Sequence, residues 1–311
     1  MALVAWPFPE SVENHGHAAD ELAKLVASGT FVEPAEPSFF EARDGARRLY
    51  RLYPGSGADL LIFLHGSGGD SRYLARLANA LARLPDGPTV ATPDMRGHGP
   101  EPVRRGDVDH MHQQEQDIAD LYAALKRIRH FDRFLLGGHS SGGGMALRYA
   151  AGHEQPRPDG LMLVAPFIHR KSPAACPDSG GWATPCVPRF AGIEMLGRFG
   201  IRLFENRPVL RFAVPPEARD GNETPLYSWR MYKSMTLSDN WRKEIAGIQA
   251  PVLVVAAGKD VIFRSDGYKA VFKNLPRASV EILPGIDHFQ LSTSDEALKR
   301  MEAWLRENRQ N

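Results

Sequence analysis

The chain has 311 residues, 43% hydrophobic and 24% charged, which is ordinary globular composition and enough length to bury a large core. A formal net charge of +1, with no dense Lys/Arg block, argues against a nucleic-acid partner. No apolar run reaches the length of a membrane span, and Met1-Ala-Leu-Val-Ala-Trp-Pro7 lacks the basic start and long apolar stretch of a signal peptide. A cytoplasmic location is the expectation. Cys176 and Cys186 lie in a Pro/Gly-rich stretch without a His pair, so free thiols are expected there and no metal site.

Residues 1–36 are expected as an N-terminal arm with one short helix around Ala18–Ala27, where Ala19, Leu22, Ala23 and Val26 recur at helical spacing. His15 and His17 flank Gly16 and are expected to be solvated. A hairpin follows. Its strands flank Asp44-Gly45, a tight-turn pair, and the run to Tyr53 suggests a half-exposed antiparallel pair.

The pattern then changes. Leu60-Leu-Ile-Phe-Leu64 is continuously apolar, the mark of a strand buried on both faces. It ends in His65-Gly-Ser-Gly-Gly69. A helix (73–84) and a strand (89–92) precede Asp94-Met-Arg-Gly-His-Gly99. Gln114 to Arg129 carries Ile118, Leu121, Leu125 and Ile128 on one helical face. A strand from Arg133 leads into Gly138-His-Ser-Ser-Gly142, and a helix follows.

Leu161–Ala165 reads as another buried strand. Regular alternation then stops, and residues 167–243, rich in Pro, Gly, Arg and aromatics, read as an inserted, mainly helical cap. Its aromatics, Phe167, Trp182 and Trp229 among them, are expected to divide between a small core of their own and the lining of an apolar pocket. Arg198, Arg202, Arg207 and Arg211 read as a solvated face. Alternation resumes with a strand at 251–257, Gly258-Lys-Asp260, a helix (266–274), a strand (278–283), Pro284-Gly-Ile-Asp-His288, and a last helix from Ser294 to Glu307. The expected organisation is an arm (1–36), a core in two parts (37–166 and 244–311) and the cap (167–243). Strand–helix alternation of this kind implies an α/β fold, a mostly parallel sheet with helices on both faces and the site at the carboxyl ends of the strands.

Gly138-x-Ser140-x-Gly142 between strand and helix has the frame of a nucleophile elbow. The turn strains the serine, and a side chain two residues to either side would collide. Ser141 has His139 two residues before it, so only Ser140 fits the frame. A serine hydroxyl needs a base and a group that orients the base. His288, after the last strand, is expected as base, over His65, His98, His139 and His153. Asp260, just past the preceding strand, is expected as the orienting acid, over Asp239, Asp266 and Asp287. The oxyanion donors are expected to be the backbone N–H groups of Ser141 and Ser67, with Gly66 second to Ser67. His65 and His139, in the loops around the serine, join Phe167, Trp182 and Trp229 as expected substrate contacts. No cofactor is called for: Gly-Lys-Ser/Thr and Gly-x-Gly-x-x-Gly frames are absent where a phosphate or dinucleotide would need them.

These motifs, in this order, resemble the α/β-hydrolase superfamily, and within it the capped lysophospholipase, monoacylglycerol-lipase and serine-aminopeptidase-like branch. The resemblance covers roughly residues 37–165 and 250–307. It implies a lid over 168–240, the triad Ser140, Asp260 and His288, and cleavage of an acyl or lysolipid-like ester without a cofactor. A thioester, amide, peptide or C–C bond is the alternative on the same triad, and a ligand-binding protein without turnover the alternative of another class. Ser141 departs from the family pattern, in which a bulkier residue such as Met is common.

Overall fold

The computed structural model describes residues 3–8, 16–100 and 102–309. His15 lies outside them. The first helix is α1 (His17–Ala27), and its Ala18, Ala19 and Leu25 are buried. The strands β1 (Pro37–Glu41) and β2 (Arg47–Tyr53) form the expected antiparallel hairpin. Then come β3 (Asp59–Leu64), α2 (Ala75–Ala82), β4 (Thr89–Pro93), α3 (Gln113–Ile128), β5 (Arg133–His139), α4 (Ser141–Ala151) and β6 (Gly160–Val164).

After β6 the alternation is interrupted by β7 (Ala183–Pro185), α5 (Val187–Arg198), β8 (Pro208–Phe212), β9 (Leu226–Ser228), α6 (Trp229–Ser234) and α7 (Trp241–Ala246). The chain closes with β10 (Val252–Ala257), α8 (Gly267–Phe272), β11 (Ala278–Leu283) and α9 (Asp295–Glu307), whose Ser294 caps it by accepting the Ala297 N–H.

The main sheet has eight strands in the order β1-β2-β4-β3-β5-β6-β10-β11. β1–β2 and β2–β4 pair antiparallel, and all other neighbours are parallel. Every residue of β3, β4, β6 and β10 is buried, as continuous apolar runs require when helices cover both faces. The chain leaves β3 toward β4 on one side and leaves β5 toward β6 on the other. The crevice at the carboxyl ends of β3 and β5 is therefore a topological switch point, where open α/β sheets bind ligands. The 65–69 loop and Ser140 sit at that crevice.

Two local expectations are corrected. β2 is not half-exposed: Arg48 and Arg51 are buried with Tyr50 and Tyr53, because β2 is flanked by β1 and β4 rather than lying at the edge. Arg48 is accommodated by donating to the Asp94 carbonyl at 2.9 Å, with the Asp117 carboxylate nearby. The stretch between β6 and β10 carries a three-stranded antiparallel sheet, β7-β8-β9, beside its helices. Its strands are three to five residues long, too short to show a period. Cys176 and Cys186 are both free.

Candidate active site

Ser140 joins β5 to α4 with φ 56° and ψ −121°. Left-handed backbone costs a non-glycine residue about 1–3 kcal/mol, and such strain persists only where the surroundings enforce it. Here they do: Ser140 N–H donates to Val164 O at 2.8 Å, and Ser140 O accepts from the N–H groups of Gly144 and Phe167 at 3.1 and 2.9 Å. The flanking glycines are sterically required. A Cβ on Gly138 would stand 2.4 Å from the Gly142 carbonyl carbon, and one on Gly142 would stand 2.4 Å from Leu64 O.

His288, between β11 and α9, is buried, and its Nδ1–H donates to Asp260 Oδ2 at 2.9 Å. The other oxygen, Oδ1, accepts from the N–H groups of Ile262 and Phe263, each at 2.8 Å. The Asp260 side chain is fully buried, and these bonds fix its direction. Two of its rivals are engaged elsewhere: Asp239 pairs with Lys171 at 2.9 Å, and Asp287 accepts from Gln290 N–H at 2.9 Å. The third, Asp266, stands at the start of α8 and makes no bond to the His288 ring among the described residues. Ser140 and His288 face one cavity; no hydrogen bond joins Ser140 Oγ to His288 among the described residues.

A Cβ on Gly66 would stand 3.2 Å from Ser140 Cβ, so the loop after β3 lies directly against the elbow. The Gly66 N–H is taken: it donates to Tyr73 Oη at 2.6 Å. No hydrogen bond from the Ser67 N–H is seen among the described residues. Ser141 is the first residue of α4, where a backbone N–H has no intrahelical acceptor. Of Gly66 and Ser67, Ser67 is therefore the one whose N–H is not already committed among the described residues.

The Tyr73 hydroxyl relays the bond from Gly66. It donates to His139 Nδ1 at 2.9 Å, and His139 Nε2–H donates to His288 O at 3.1 Å. Burial, and then the adjacent His288 ring, hold the His139 imidazole well below its ordinary pKa, so it is neutral and fits this donor–acceptor order. Sequence reasoning missed Tyr73; its only signal was the position one helical turn past the glycine loop.

Two cavities meet at Ser140. The first, about 380 Å³, is lined by His139, His288, Tyr73, Asp70, Arg72 and Asp220, with an apolar wall of Leu22, Leu25, Val26, Phe31 and Val32. That wall comes from α1 and the segment after it, which the sequence offered only as an arm. The second, about 510 Å³, is lined by Phe167, Phe190, Phe212, Tyr232, Met235 and Phe263. Trp182, Ser67 and Ser140 border both.

Of the expected substrate contacts, His139, Phe167 and Trp182 reach these cavities. His65 and Trp229 do not. His65 is buried beneath the loop: its Nδ1–H donates to Gly66 O at 2.8 Å, and Nε2 accepts the Met95 N–H at 3.0 Å. Both ring nitrogens are spent on backbone. Trp229 packs with Val4, Ile193 and Val209 in a separate small core.

Residues 56–292 match the family model Hydrolase_4, described as serine aminopeptidase, S33. The chain belongs to this family. The branch suggested by its motifs is borne out. Among solved structures it is similar to a soluble variant of monoglyceride lipase from Saccharomyces cerevisiae in complex with a substrate analog (19% identity, 97% of this chain and 99% of that one, TM-score 0.66). It is also similar to a monoacylglycerol lipase from Paleococcus ferrophilus (22%, 84% and 99%, TM-score 0.59). A third similar structure is a thermophilic esterase from Thermogutta terrifontis (16%, 88% and 99%, TM-score 0.54). At these identities the likeness is one of fold. No curated protein sequence matches the chain. No helix among the described residues is long and apolar enough to cross a membrane.

Proposed function

We propose that this chain is a serine hydrolase of carboxylic esters, with Ser140 as nucleophile, His288 as general base and acid, and Asp260 as the group that orients His288. The observation that carries the reading is the convergence, at the mouth of two cavities, of a strained elbow serine and a buried His288–Asp260 pair 2.9 Å apart.

In the first step Ser140 Oγ attacks the ester carbonyl while His288 Nε2 takes its proton. Asp260 holds Nδ1–H, which leaves Nε2 as the basic nitrogen and stabilises the imidazolium that forms. Negative charge developing on the carbonyl oxygen is received by the backbone N–H groups of Ser67 and Ser141. The imidazolium then gives its proton to the leaving alcohol, and an acyl-Ser140 ester remains. Water, deprotonated by His288, attacks that ester; the imidazolium returns the proton to Ser140 Oγ as it leaves, and the carboxylic acid is released. The bond between Ser140 and His288 closes in the substrate complex, as such bonds commonly do.

The two cavities suggest how the substrate lies. The larger is walled by aromatic and aliphatic side chains and suits an acyl chain. The smaller offers Asp70, Arg72 and Asp220 beside an apolar wall and suits the alcohol. On this reading 167–243 is the lid and the substrate is a monoacyl, lysolipid-like ester.

The test is a fluorophosphonate probe followed by peptide mapping, with a panel of p-nitrophenyl and monoacylglycerol esters. Labelling at Ser140, and loss of both labelling and ester turnover in Ser140→Ala, are expected. Full esterase activity in Ser140→Ala would overturn the proposal.

A further inference from the structure

Trp182 is far in sequence from the loop at 66–69, yet it holds that loop. Its indole is buried, and Nε1–H donates to Ser67 Oγ at 3.0 Å. The ring lies against the neighbouring backbone: a Cβ on Gly68 would stand 3.2 Å from Trp182 Cζ2. The indole is itself braced, edge-on to Phe289 at 5.2 Å between ring centroids and tilted against Phe212 at 6.0 Å.

The same stretch of chain holds the loop at a second point. Thr224 N–H donates to Gly68 O at 2.9 Å. On the core side Tyr73 secures Gly66. Ser67 is thus the one residue of Gly66-Ser-Gly68 whose side chain, rather than its backbone, is the point of attachment. Glycine on either side leaves its peptide little stiffness of its own. An oxyanion donor works by being fixed in place before charge develops, so whatever fixes this peptide acts on the chemical step.

We infer that Trp182 is a positioning residue: its hydrogen bond to Ser67 Oγ sets the direction of the Ser67 N–H, so the segment between β6 and β10 governs turnover as well as substrate shape. Trp182 touches no reacting atom in this role. The inference rests on the proposed oxyanion role of Ser67. It adds a prediction that a simple pocket wall would not make, since the Ser67 side chain becomes important to kcat although only its backbone meets the substrate.

The experiment is steady-state kinetics on p-nitrophenyl acetate and octanoate, normalised to active sites titrated with a fluorophosphonate. Trp182→Phe keeps a ring and removes the donor. Ser67→Ala removes the acceptor and keeps the backbone N–H. Each should lower kcat about three- to tenfold, with KM within about twofold. Ser67→Thr, which keeps the acceptor, should lose less kcat than Ser67→Ala. The double variant Trp182→Phe/Ser67→Ala should fall no further than the worse single variant, because both remove one interaction.

A kcat unchanged in Trp182→Phe, or losses that multiply in the double variant, would overturn the inference. If Trp182→Phe does not fold, the Ser67 pair decides: equal kcat for Ser67→Ala and wild type overturns it. A purely structural role would lower the titratable fraction but not kcat per labelled serine, and that result also overturns it. Failure of the underlying reading looks different, since Ser140 would then escape labelling and Ser140→Ala would keep its activity.

Discussion

His288 Nδ1 and Asp260 Oδ2 lie 2.9 Å apart, and both side chains are sealed from solvent. Asp260 is the only carboxylate hydrogen-bonded to the His288 ring among the described residues, and its second oxygen is committed to two backbone donors. Asp260→Asn keeps the shape but can place its amide NH₂ where an acceptor is needed. The imidazole would then adopt the wrong tautomer. Turnover of p-nitrophenyl butyrate should fall about 10³–10⁴-fold, with fluorophosphonate labelling of Ser140 slowed in parallel. A variant retaining more than a tenth of wild-type kcat would remove Asp260 from the proposed triad.

Tyr73→Phe tests the relay through His139. It removes one hydroxyl and strands two buried partners, the Gly66 N–H and His139 Nδ1. Each unsatisfied buried group costs about 1–3 kcal/mol. A clear drop in the urea midpoint with unchanged m-value is expected. kcat should fall as well, because the freed Gly66 peptide adjoins Ser67. Stability equal to wild type would show that the relay is not closed.

Ala191→Trp tests the assignment of the larger cavity. Ala191 lies on the exposed side of α5 and lines that cavity, so a large ring there can fill space without disturbing the core. Selectivity should shift. kcat/KM for dodecanoyl esters should fall roughly tenfold or more, while acetyl esters change little. A uniform loss across chain lengths would place the acyl group elsewhere.

Glu21 gives a pH-dependent prediction. Burial first, and then the charges of Asp287 and Asp260, raise its carboxyl from 4.5 to about 7. Between those values the folded protein binds more protons than the unfolded chain, so Glu21 lowers stability as pH rises through the window, and the full penalty applies above it. Glu21→Gln cannot ionise. Its Tm should exceed that of wild type at about pH 8, and the two should converge near the lower end of the window. Differential scanning fluorimetry across that range checks it, and a gap independent of pH would overturn it.

Local patterns carried much of this protein. Continuous apolar runs marked β3, β5, β6 and β10 because strands covered on both faces have no polar side to show. The Gly138-x-Ser140-x-Gly142 frame was legible because only glycine leaves room for the backbone atoms found 2.4 Å from an added Cβ. Asp260 and His288 were readable from their places just past the strands that became β10 and β11. The 167–243 stretch was least legible, since strands of three to five residues leave no period to detect.

What the sequence by itself determined was the order of strands and helices outside 167–243 and the serine that fits the elbow frame, since both depend on local sterics and on hydrophobic period. The tertiary structure alone decided which distant groups meet. Strand order put the β3 and β5 loops side by side, and packing brought α1 to the first cavity and Trp182 to Ser67. It also turned His65 inward onto backbone and drew Trp229 into a separate core. Those outcomes depend on contacts between residues far apart in the chain, and such contacts leave no periodic trace in the residues that make them.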